Sequence, residues 1–523
     1  MHSLQPLALS RIKPSYSVPN SILWSILGFM LYLINQAKLY SNNIAIIADD
    51  KAYTYQQLLI SSQNFASLLL NGAKDLNQKR VAFVLPPGMD YVIVQWAIWQ
   101  AGGIAVPLNP KAPLDSHRYV LEDAAVDIIV TSPIYIADIE ALASELKIRV
   151  VTAGMSAELT PDLPDIAADR AAMILYTSGT TAAPKGVVST HENIEAQAKA
   201  LTEAWEWSAT DRIINVLPMH HIHGIINILT CALISGASCE FMASFDPKEL
   251  LDKLCQPEVT LFMAVPTIYY KLVAYWESLD QPEQIKISAG LNTLRLMVSG
   301  SAALPVSTLE KWKNITGHTL LERYGMTEIG MAISNPYIGE RRPGHIGLPL
   351  PGVELRLVDE EMHDVQIGEQ GEILVKGPNV FKEYWNKPEI THAAFTSDGW
   401  FKTGDIAIFK EGYYKIIGRN LDIIKSGGYK LSALEIEEVL RSYPGISDCG
   451  VVGIPDEEWG ELVVAALIID GDSFTERELI LWLSNKLPRY KIPTVFRKLR
   501  ELPRNAMGKV VKNELKEIFI HSV

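Results

Sequence analysis

The sequence predicts an α/β protein: a large N-terminal domain of mostly parallel sheets flanked by helices, a β-rich subdomain, and a small C-terminal α+β lobe. Three changes of pattern along the chain support this prediction. From Asn43 to about Val151, short apolar runs alternate with helical patterns, which is typical of parallel strands joined by crossover helices. After about Pro349 the strands become short and are interrupted by glycine, which favours a β-rich subdomain. From about Asp422 onward, roughly 100 residues carry strands and a helix of their own, which is enough for a separate lobe.

The individual elements follow from these patterns. Residues 81–85 are predicted to be a buried strand that ends at Pro86, and residues 91–101 are predicted to be the helix after it. The other predicted strands of the N-terminal domain are 104–108, 127–131, 213–217, 261–265 and 294–298. In the rest of the chain we predict strands at 353–358, 371–375, 450–454 and 462–469, and a helix at 476–486.

Composition and charge restrict the classes of function. The 523 residues are 48% hydrophobic and 20% charged, which is ordinary for a globular protein. Lysine and arginine number 47 against 60 aspartate and glutamate, so the net charge of −13 argues against sequence-independent binding of nucleic acid or of an anionic membrane surface. The cysteines lack zinc-ligand spacing and are expected to be buried free thiols in a reducing compartment. They are Cys231, Cys239, Cys255 and Cys449.

The N-terminal segment leaves the cellular location open. No acidic residue precedes Asp49, and Arg11 and Lys13 precede an apolar run at residues 22–34 that is too short to span a bilayer. We interpret this run as an ordinary first helix of a cytoplasmic protein. A signal-peptide core and a mitochondrial transit peptide, which would place the protein in the matrix, remain alternatives.

The strongest local signal is a loop rich in small and hydroxyl residues. Residues 174–186 are Ile-Leu-Tyr-Thr-Ser-Gly-Thr-Thr-Ala-Ala-Pro-Lys-Gly, and the spacing differs from that of the Walker loop. Small residues let backbone N–H groups approach an anion, hydroxyl groups donate hydrogen bonds to phosphate oxygens, and a lysine adds positive charge. The residues that carry this chemistry are Thr177, Ser178, Gly179, Thr180, Thr181 and Lys185.

This loop resembles the phosphate-binding signature of the adenylate-forming superfamily, which includes acyl-CoA synthetases, luciferases and peptide-synthetase adenylation domains. Four further motifs occur in the family's order: 324–328 (Tyr-Gly-Met-Thr-Glu), 403–405 (Thr-Gly-Asp), 418–430, and 503–509 (Pro-Arg-Asn-Ala-Met-Gly-Lys). One departure is Ala182, where the family usually has glycine, and alanine restricts the backbone of the loop.

The resemblance implies roles for the residues of these motifs. Tyr324 would pack against adenine, Thr327 would contact the α-phosphate, and Glu328 would help to hold Mg²⁺, for which a carboxylate oxygen is a suitable ligand. The other implied nucleotide contacts are Asp405, Arg419, Ser301 and Ala302, the first two at the ribose. The implied catalytic residues are Lys509, His221, Thr327 and Glu328.

Residues 418–430 resemble the connection between the two lobes of the family. The resemblance implies an N-terminal domain at 1–418, a hinge at 419–422, and a mobile C-terminal lobe at 423–523 that carries the catalytic Lys509. The family's pivot residue is commonly lysine or aspartate, whereas Leu421 stands there in this chain. Lys509 would stabilise the charge that develops when a carboxylate attacks the α-phosphate. The residues that would face the thiol of coenzyme A are Lys425, Gly427, Gly428 and Lys430.

Two regions predict the pocket for the acid. Residues 217–224 (Leu-Pro-Met-His-His-Ile-His-Gly) align with a stretch near the acyl group of the family. Residues 294–303 and 321–352 resemble malonyl-CoA synthetases, whose pocket is short and polar. A second carboxylate needs a basic partner, and we predict Arg295 for this role, helped by His221 or His223. A structural arginine paired with an acid is the alternative interpretation of Arg295. Met331 would help to set the space at the α-carbon.

These features predict an AMP-forming acid–thiol ligase that uses ATP, Mg²⁺ and coenzyme A, with malonate as the first-choice acid. The alternatives are a ligase for another short-chain, branched or aryl acid, and transfer to the thiol of a carrier protein, which no motif indicates. A non-catalytic nucleotide sensor is disfavoured because Lys509, Glu328 and Asp405 are all present. We expect small-molecule substrates, no nucleic-acid partner and no transmembrane segment.

Overall fold

The structure is a computed structural model that describes residues 31–155, 162–177, 184–427, 429–469, 475–504 and 509–520, without the side chains of Leu421 and Lys430. Within these ranges, no helix has the length and apolar character needed to cross a bilayer. Most of the apolar run at 22–34, predicted to be the first helix, lies outside the described residues. The first described helix is α1 (Tyr32–Leu39).

Strands and helices alternate through the first part of the chain, as the sequence predicts. Helix α2 illustrates the local cause: it begins at a capping box, in which the Thr54 hydroxyl accepts the Gln57 N–H and the Gln57 side chain accepts the Thr54 N–H. The elements after α1 are β1 (Ile44–Ala48), β2 (Lys51–Thr54), α2 (Tyr55–Leu70), β3 (Arg80–Val84), α3 (Met89–Gln100), β4 (Ile104–Pro107), α4 (Leu114–Asp123), β5 (Ile128–Thr131), α5 (Ile136–Leu146), β6 (Arg149–Thr152), β7 (Ala171–Thr177), β8 (Lys185–Thr190) and α6 (His191–Ala204).

The alternation continues with a second set of parallel strands and then changes to antiparallel ones. The second set is β9 (Arg212–Asn215), a π-helix (His223–Thr230), α7 (Cys231–Ile234), β10 (Ser238–Phe241), α8 (Pro247–Leu254), β11 (Leu261–Ala264), α9 (Pro266–Glu277), α10 (Gln281–Leu291), β12 (Leu296–Ser299), α11 (Val306–Thr316) and β13 (Leu321–Met326). The antiparallel elements are β14 (Gly330–Ser334), β15 (Leu348–Pro349), β16 (Glu354–Val358), β17 (Gln370–Lys376), β18 (Glu383–Tyr384), α12 (Pro388–Ala394), β19 (Phe401–Lys410) and β20 (Tyr413–Arg419).

Two large sheets and one small sheet result. The nine-stranded sheet has the order β15-β14-β13-β12-β11-β9-β10-β1-β2, and the strands from β13 to β1 in this order are parallel. The seven-stranded sheet has the order β18-β8-β7-β4-β3-β5-β6, and the strands from β7 to β6 are parallel. The β-rich subdomain is the four-stranded sheet β16-β17-β19-β20. The largest apolar core joins the two large sheets and includes the fully buried Trp96 and Trp205.

The C-terminal residues form a fourth sheet with its own apolar core. After a 3₁₀ turn (Asn420–Asp422) come β21 (Ile423–Ser426), β22 (Tyr429–Ser432), α13 (Ala433–Arg441), β23 (Ile446–Asp456), β24 (Gly460–Ile469), α14 (Glu476–Ser484), a 3₁₀ turn (Arg489–Lys491), β25 (Val495–Lys498) and α15 (Lys512–Ile520). The sheet order is β22-β21-β24-β23, and β25 pairs with β24. The predicted fold class, with parallel sheets, a β-rich subdomain and a C-terminal α+β lobe, is confirmed.

Candidate active site

The carboxyl ends of β9, β12 and β13 meet at one edge of the nine-stranded sheet. The strands β12 and β13 are parallel, with Ser299 opposite Glu322, so the Gly300 turn lies beside Arg323. Ligands of open α/β sheets bind outside the carboxyl ends of the strands. The absence of a side chain at Gly300 matters here, because a Cβ atom at this position would lie only 2.4 Å from Cζ of Arg323.

Arg323 is a buried cation that the sequence analysis did not select. Only 4% of the residue is exposed, and none of its three guanidinium nitrogens has a hydrogen-bond partner among the described residues. Burial lowers the pKa of Arg323 to about 9, which still leaves the guanidinium charged at neutral pH. A buried, uncompensated charge is unfavourable, so Arg323 is suited to meet an anionic group of a ligand. The available signal was its place directly before Tyr324, within a strand whose first residues are buried.

Of the two predicted histidines, His223 lies close enough to Arg323 for its charge to act on it, and His221 lies close to His223. The loop that carries them is held by Asn215 at the end of β9, which accepts the Leu217 N–H and donates to the Gly224 carbonyl. His223 Nδ1 lies 3.2 Å from Ser301 Oγ. In the described part of the chain, Nε2 of both His221 and His223 lacks a hydrogen-bond partner.

These histidines are neutral at physiological pH. Burial lowers the pKa of His221 to about 4, and it lowers the pKa of His223 well below its usual value, with Arg323 adding to the effect. Burial and the adjacent His221 ring, whose centroid is 4.1 Å away, lower the pKa of His220 to about 3. The histidines therefore offer hydrogen bonds to a ligand, while the positive charge comes from Arg323.

The contacts of Arg295 do not favour its predicted role at the acid. Arg295 precedes β12 and lies at the amino end of that strand, whereas Ser299, Gly300 and Arg323 lie at the carboxyl edge. Its Nε and Nη2 donate to the two oxygens of the Asp211 carboxylate at 2.8 and 2.7 Å, and its Nη1 donates to the Trp205 carbonyl. These contacts favour the alternative interpretation of Arg295 as a structural arginine paired with an acid.

Met331 lies close to the site. It is buried in β14, opposite Gly325, and its Cε atom approaches the position that a Cβ of Gly325 would occupy to 2.6 Å. Ser301, at the turn after β12, adopts a left-handed backbone conformation with φ of +70°, which is uncommon for a residue other than glycine and frequent at functional sites. Ala302 follows it and is half-buried.

The predicted ribose and adenine residues meet across two sheets. The Tyr324 hydroxyl of β13 donates to Asp405 Oδ2 of β19 at 2.6 Å, and Asp405 Oδ1 lies 3.4 Å from Arg419 Nε of β20. Burial, with the charge of Asp405 as the next cause, raises the pKa of Tyr324 well above its usual value. The motifs that the sequence places far apart therefore form one cluster.

Glu328 and Thr327 lie in the turn between β13 and β14. Glu328 is buried; its Oε1 accepts the Tyr384 hydroxyl at 2.9 Å and its carbonyl accepts the Phe381 N–H at 2.7 Å. Burial raises the pKa of Glu328, and Tyr384, Lys185 and Arg419 oppose this rise.

This donor set fits Mg²⁺. Mg²⁺ is commonly held by one or two carboxylates together with substrate phosphates and water. Glu328 would supply one hard oxygen ligand at the cluster. No group of three or more His, Cys, Asp or Glu side chains able to hold a metal ion by itself occurs among the described residues.

Both ends of the phosphate loop are anchored. Thr177 ends β7 and is opposite Lys185, the first residue of β8. Helix α4 holds the loop ends, because the Tyr119 hydroxyl donates to the Pro184 carbonyl at 2.7 Å and Asp123 accepts the Tyr176 hydroxyl at 2.6 Å. The predicted residues Ser178, Gly179, Thr180 and Thr181 lie outside the described residues.

The C-terminal lobe brings Lys509 to this cluster. Lys509 lies close enough to Asp405, Asp422, Glu328 and Arg419 for their charges to act on it. Lys509 is exposed as a residue, but burial of its ammonium group lowers the pKa of Lys509, with Arg419 as the next cause, and the three carboxylates oppose the shift.

The residues predicted to face coenzyme A lie on β21 and its turn. Lys425 is exposed, and its N–H donates to Glu461. Gly427 has φ of +55°, and a Cβ there would lie 2.9 Å from the Trp459 ring, so glycine fits this turn. Gly428 and the Lys430 side chain lie outside the described residues.

Comparison with known proteins places this site in a family. Residues 33–385 match the family described as AMP-binding enzyme, and residues 435–509 match the AMP-binding enzyme C-terminal domain. The chain is 43% identical to the malonate–CoA ligase ACSF3, mitochondrial, of Xenopus laevis, over 94% of this chain and 92% of that protein.

Two solved structures are also similar. ATP-bound MatB from Rhodopseudomonas palustris has a TM-score of 0.86 at 34% identity and covers 94% of this chain and 99% of its own. The o-succinylbenzoate coenzyme A synthetase MenE from Bacillus subtilis, in complex with ATP and magnesium ion, has a TM-score of 0.81 at 28% identity and covers 93% and 99%. The family prediction made from the phosphate loop and the four ordered motifs is confirmed, and the chain belongs to the AMP-binding enzyme family.

Proposed function

We propose that this protein is an AMP-forming malonate–CoA ligase. It adenylates malonate with ATP and transfers the malonyl group to coenzyme A. Malonate–CoA ligase is the printed name of the Xenopus laevis relative, and ATP is bound in the similar structure of MatB. These similarities support the chemistry, and the pocket of this chain supports the choice of acid.

The observation that carries the choice of malonate is the buried guanidinium of Arg323. A monocarboxylate has one charge, which the reaction consumes, and it would leave Arg323 buried without a counter-ion. Malonate has a second carboxylate that can pair with Arg323 while the first reacts. A charge-assisted pair between guanidinium and carboxylate is among the strongest polar contacts in a protein. The neutral His221 and His223 and the hydroxyl of Ser301 offer further hydrogen bonds in the same place.

The adenylation step follows from the charges at the cluster. The reacting carboxylate attacks the α-phosphate of ATP, a new bond forms between a carboxylate oxygen and phosphorus, and pyrophosphate leaves. Lys185 and Lys509 stabilise the negative charge that develops, which is usually the largest contribution in such sites. Mg²⁺, held by Glu328 with phosphate oxygens, would neutralise phosphate charge. Thr327 would contact the α-phosphate.

We propose the two-domain division for the second step. Residues 1–418 would stay in place, and residues 423–523 would turn about the hinge at 419–422 after adenylation. The thiolate of coenzyme A would then attack the malonyl carbonyl and displace AMP. Lys425, Gly427, Gly428 and Lys430 would face the thiol in that arrangement, and Lys509 would leave the site.

A substrate panel tests the proposal. AMP formation is measured with ATP, Mg²⁺ and coenzyme A against malonate, methylmalonate, acetate, octanoate and benzoate. We expect malonate to exceed the monocarboxylates by at least about 100-fold in kcat/KM, equal to about 2.7 kcal/mol of transition-state discrimination. A monocarboxylate as the best substrate would contradict the role of Arg323 and favour the alternative short-chain, branched or aryl ligases.

A separate test addresses Lys509. The variant Lys509→Ala is expected to lose malonate-dependent exchange of pyrophosphate into ATP and to retain transfer from chemically prepared malonyl-AMP to coenzyme A. Exchange at the wild-type rate would show that Lys509 is not the adenylation lysine. Transfer to a carrier protein is tested in the same second assay by replacing coenzyme A with a phosphopantetheine-bearing carrier.

We propose a mitochondrial location rather than the cytoplasmic one first expected. The support is the word mitochondrial in the printed name of the Xenopus laevis relative together with the absence of acidic residues before Asp49. Import of the full chain into isolated mitochondria, with protection from added protease, tests this. A chain that stays protease-sensitive outside the organelle would favour the cytoplasmic expectation.

A further inference from the structure

The segment from Asn379 to Trp385, called here the bridging segment, connects the Glu328 turn to the strand that begins with Lys185. At one end, Asn379 Nδ2 donates to the Ile329 carbonyl at 2.6 Å and the Phe381 N–H donates to the Glu328 carbonyl at 2.7 Å. At the other end, the Trp385 N–H donates to the Gly186 carbonyl at 2.8 Å, and β18 pairs with β8. The backbone of this segment therefore sets the distance between the Glu328 turn and the phosphate loop.

Tyr384 makes the same connection with its side chain. The residue is buried, with 5% of its surface exposed. Its hydroxyl donates to Glu328 Oε1 at 2.9 Å, and its ring centroid lies 4.4 Å from the Lys185 ammonium. One side chain thus contacts both the carboxylate assigned to Mg²⁺ and the lysine assigned to the phosphates.

This arrangement keeps two opposite charges near each other without an ion pair. Glu328 and Lys185 are close enough for the lysine to lower the pKa of the carboxyl. Within the described part of the chain, Glu328 and Lys185 nevertheless form no ion pair with an N···O distance of up to 4.0 Å. A direct pair would saturate a carboxylate oxygen and the ammonium with each other. The tyrosine instead gives each charge a partner that leaves its net charge unchanged: a hydroxyl donor for the carboxylate and an aromatic face for the cation.

We propose that Tyr384 is a positioning residue that holds Glu328 and Lys185 as separate charges, available to Mg²⁺ and to the phosphates of ATP respectively. The inference rests on the proposed use of ATP and Mg²⁺, but not on the identity of the acid. Its two contacts have different consequences. Loss of the hydroxyl frees the Glu328 carboxylate to turn toward Lys185, which weakens the Mg²⁺ site. Loss of the ring as well removes the support of Lys185.

Calorimetric titration of ATP into the full chain, without any acid substrate, separates these consequences. It is performed once with excess Mg²⁺ and once with EDTA. For Tyr384→Phe we expect the Kd of ATP to rise five- to tenfold with Mg²⁺ and to change less than twofold with EDTA, because the ring stays over Lys185. For Tyr384→Leu we expect the Kd to rise in both conditions. Equal changes of Kd in both conditions for Tyr384→Phe, or no change with Mg²⁺, would overturn the proposal.

Two controls exclude a general loss of packing. Tyr55 is fully buried and donates to the Ala237 carbonyl at 2.6 Å, beside β10 and away from β13 in the sheet order. Tyr55→Phe removes a comparable hydrogen bond and should leave both Kd values within twofold of wild type. In a Glu328→Gln background, Tyr384→Phe should cause no further Mg²⁺-specific rise. A Mg²⁺-specific rise in Tyr55→Phe, or a full additional rise in the double variant, would contradict the positioning role.

The outcome is separable from that of the proposed function. Failure of malonate in the substrate panel would leave the ATP titrations unchanged, because they contain no acid. Failure of the Tyr384 prediction would leave the preference for malonate unchanged, because that preference depends on Arg323.

Discussion

Two arginines lie at opposite ends of neighbouring strands in the nine-stranded sheet, and their environments differ. Arg295, at the amino end of β12, donates hydrogen bonds from all three of its guanidinium nitrogens, to the Asp211 carboxylate and the Trp205 carbonyl. Its Cζ atom lies 5.3 Å from the Tyr337 ring centroid. Arg323, on β13, is more deeply buried and has no hydrogen-bond partner in the described part of the chain. Arg295 is half-buried and precedes β12, whereas Arg323 is buried within the neighbouring β13, so the two cations differ both in burial and in their partners.

The difference shows how a charged residue of the framework can be told from one kept for a ligand. A satisfied buried pair is consistent with a structural role, because removing one partner leaves an uncompensated charge. An unsatisfied buried charge costs stability in the free protein and is retained where a ligand completes it. The comparison therefore predicts that Arg295 governs stability and Arg323 governs substrate selection.

The largest effect is expected from Arg323→Ala. Malonate loses the partner of its second carboxylate, so kcat/KM for malonate should fall about 1,000-fold, equal to about 4 kcal/mol, as measured by AMP formation. The melting temperature should stay the same or rise, because an uncompensated buried charge is removed. Acetate, which lacks the second carboxylate, serves as the control substrate and should not lose activity. An equal loss with acetate would assign Arg323 to folding or to ATP.

The next effect is on stability and comes from Arg295→Ala. This variant leaves the Asp211 carboxylate, whose side chain is 2% exposed, without its cation, so the unfolding free energy should fall by about 3 kcal/mol. Thermal denaturation measures this loss, and kcat/KM for malonate below the melting temperature should stay within threefold of wild type. The double variant Arg295→Met with Asp211→Leu should recover part of the lost stability. A selective loss of malonate activity in Arg295→Ala would restore the original prediction for this residue.

A third prediction concerns Glu322, which precedes Arg323 on β13. Burial raises the pKa of Glu322 to about 8, and the Gly344 N–H that it accepts opposes the rise. The unfolded chain loses this proton near pH 4.5, so the folded state holds the extra proton between the two pKa values. Its stability therefore falls as pH rises toward 8, by at most about 1.4 kcal/mol per pH unit from this group. Glu322→Gln should make the melting temperature less dependent on pH between 5.5 and 7.5. An unchanged dependence would contradict this.

The smallest effect is expected from His223→Ala. The neutral imidazole contributes a hydrogen bond rather than a charge, so kcat/KM for malonate should fall about 10-fold, equal to about 1.4 kcal/mol. His220→Ala is the matched variant, because His220 neighbours His221 but is not one of the histidines predicted to meet the acid, and it should change kcat/KM less than threefold. A loss with His223→Ala as large as with Arg323→Ala would mean that the histidine carries the charge.

Much of the fold follows from the sequence, and the exceptions have physical causes. The predicted strand 104–108 and the observed β4 differ by one residue, because a proline near the end of the apolar run limits where the strand can end. The predicted strand 294–298 begins two residues before β12. This shift placed Arg295 inside the strand, although ligand sites of parallel sheets lie at the carboxyl end. Periodicity identifies the face of a strand more reliably than the ends of the strand.

The sequence by itself determined the class of the molecule and the chemistry of its motifs. The phosphate loop, the Tyr324 motif, Asp405 and Lys509 are short-range patterns, and their order resembles a family whose members bind ATP, so the resemblance implies binding of phosphates and a nucleotide. Only the tertiary structure decided which charges have partners. Arg295 and Asp211 are 84 residues apart, Tyr324 and Asp405 are 81 apart, and Tyr384 and Glu328 are 56 apart. Such pairs form when strands from distant parts of the chain assemble, and the same assembly left Arg323 buried and available for a ligand.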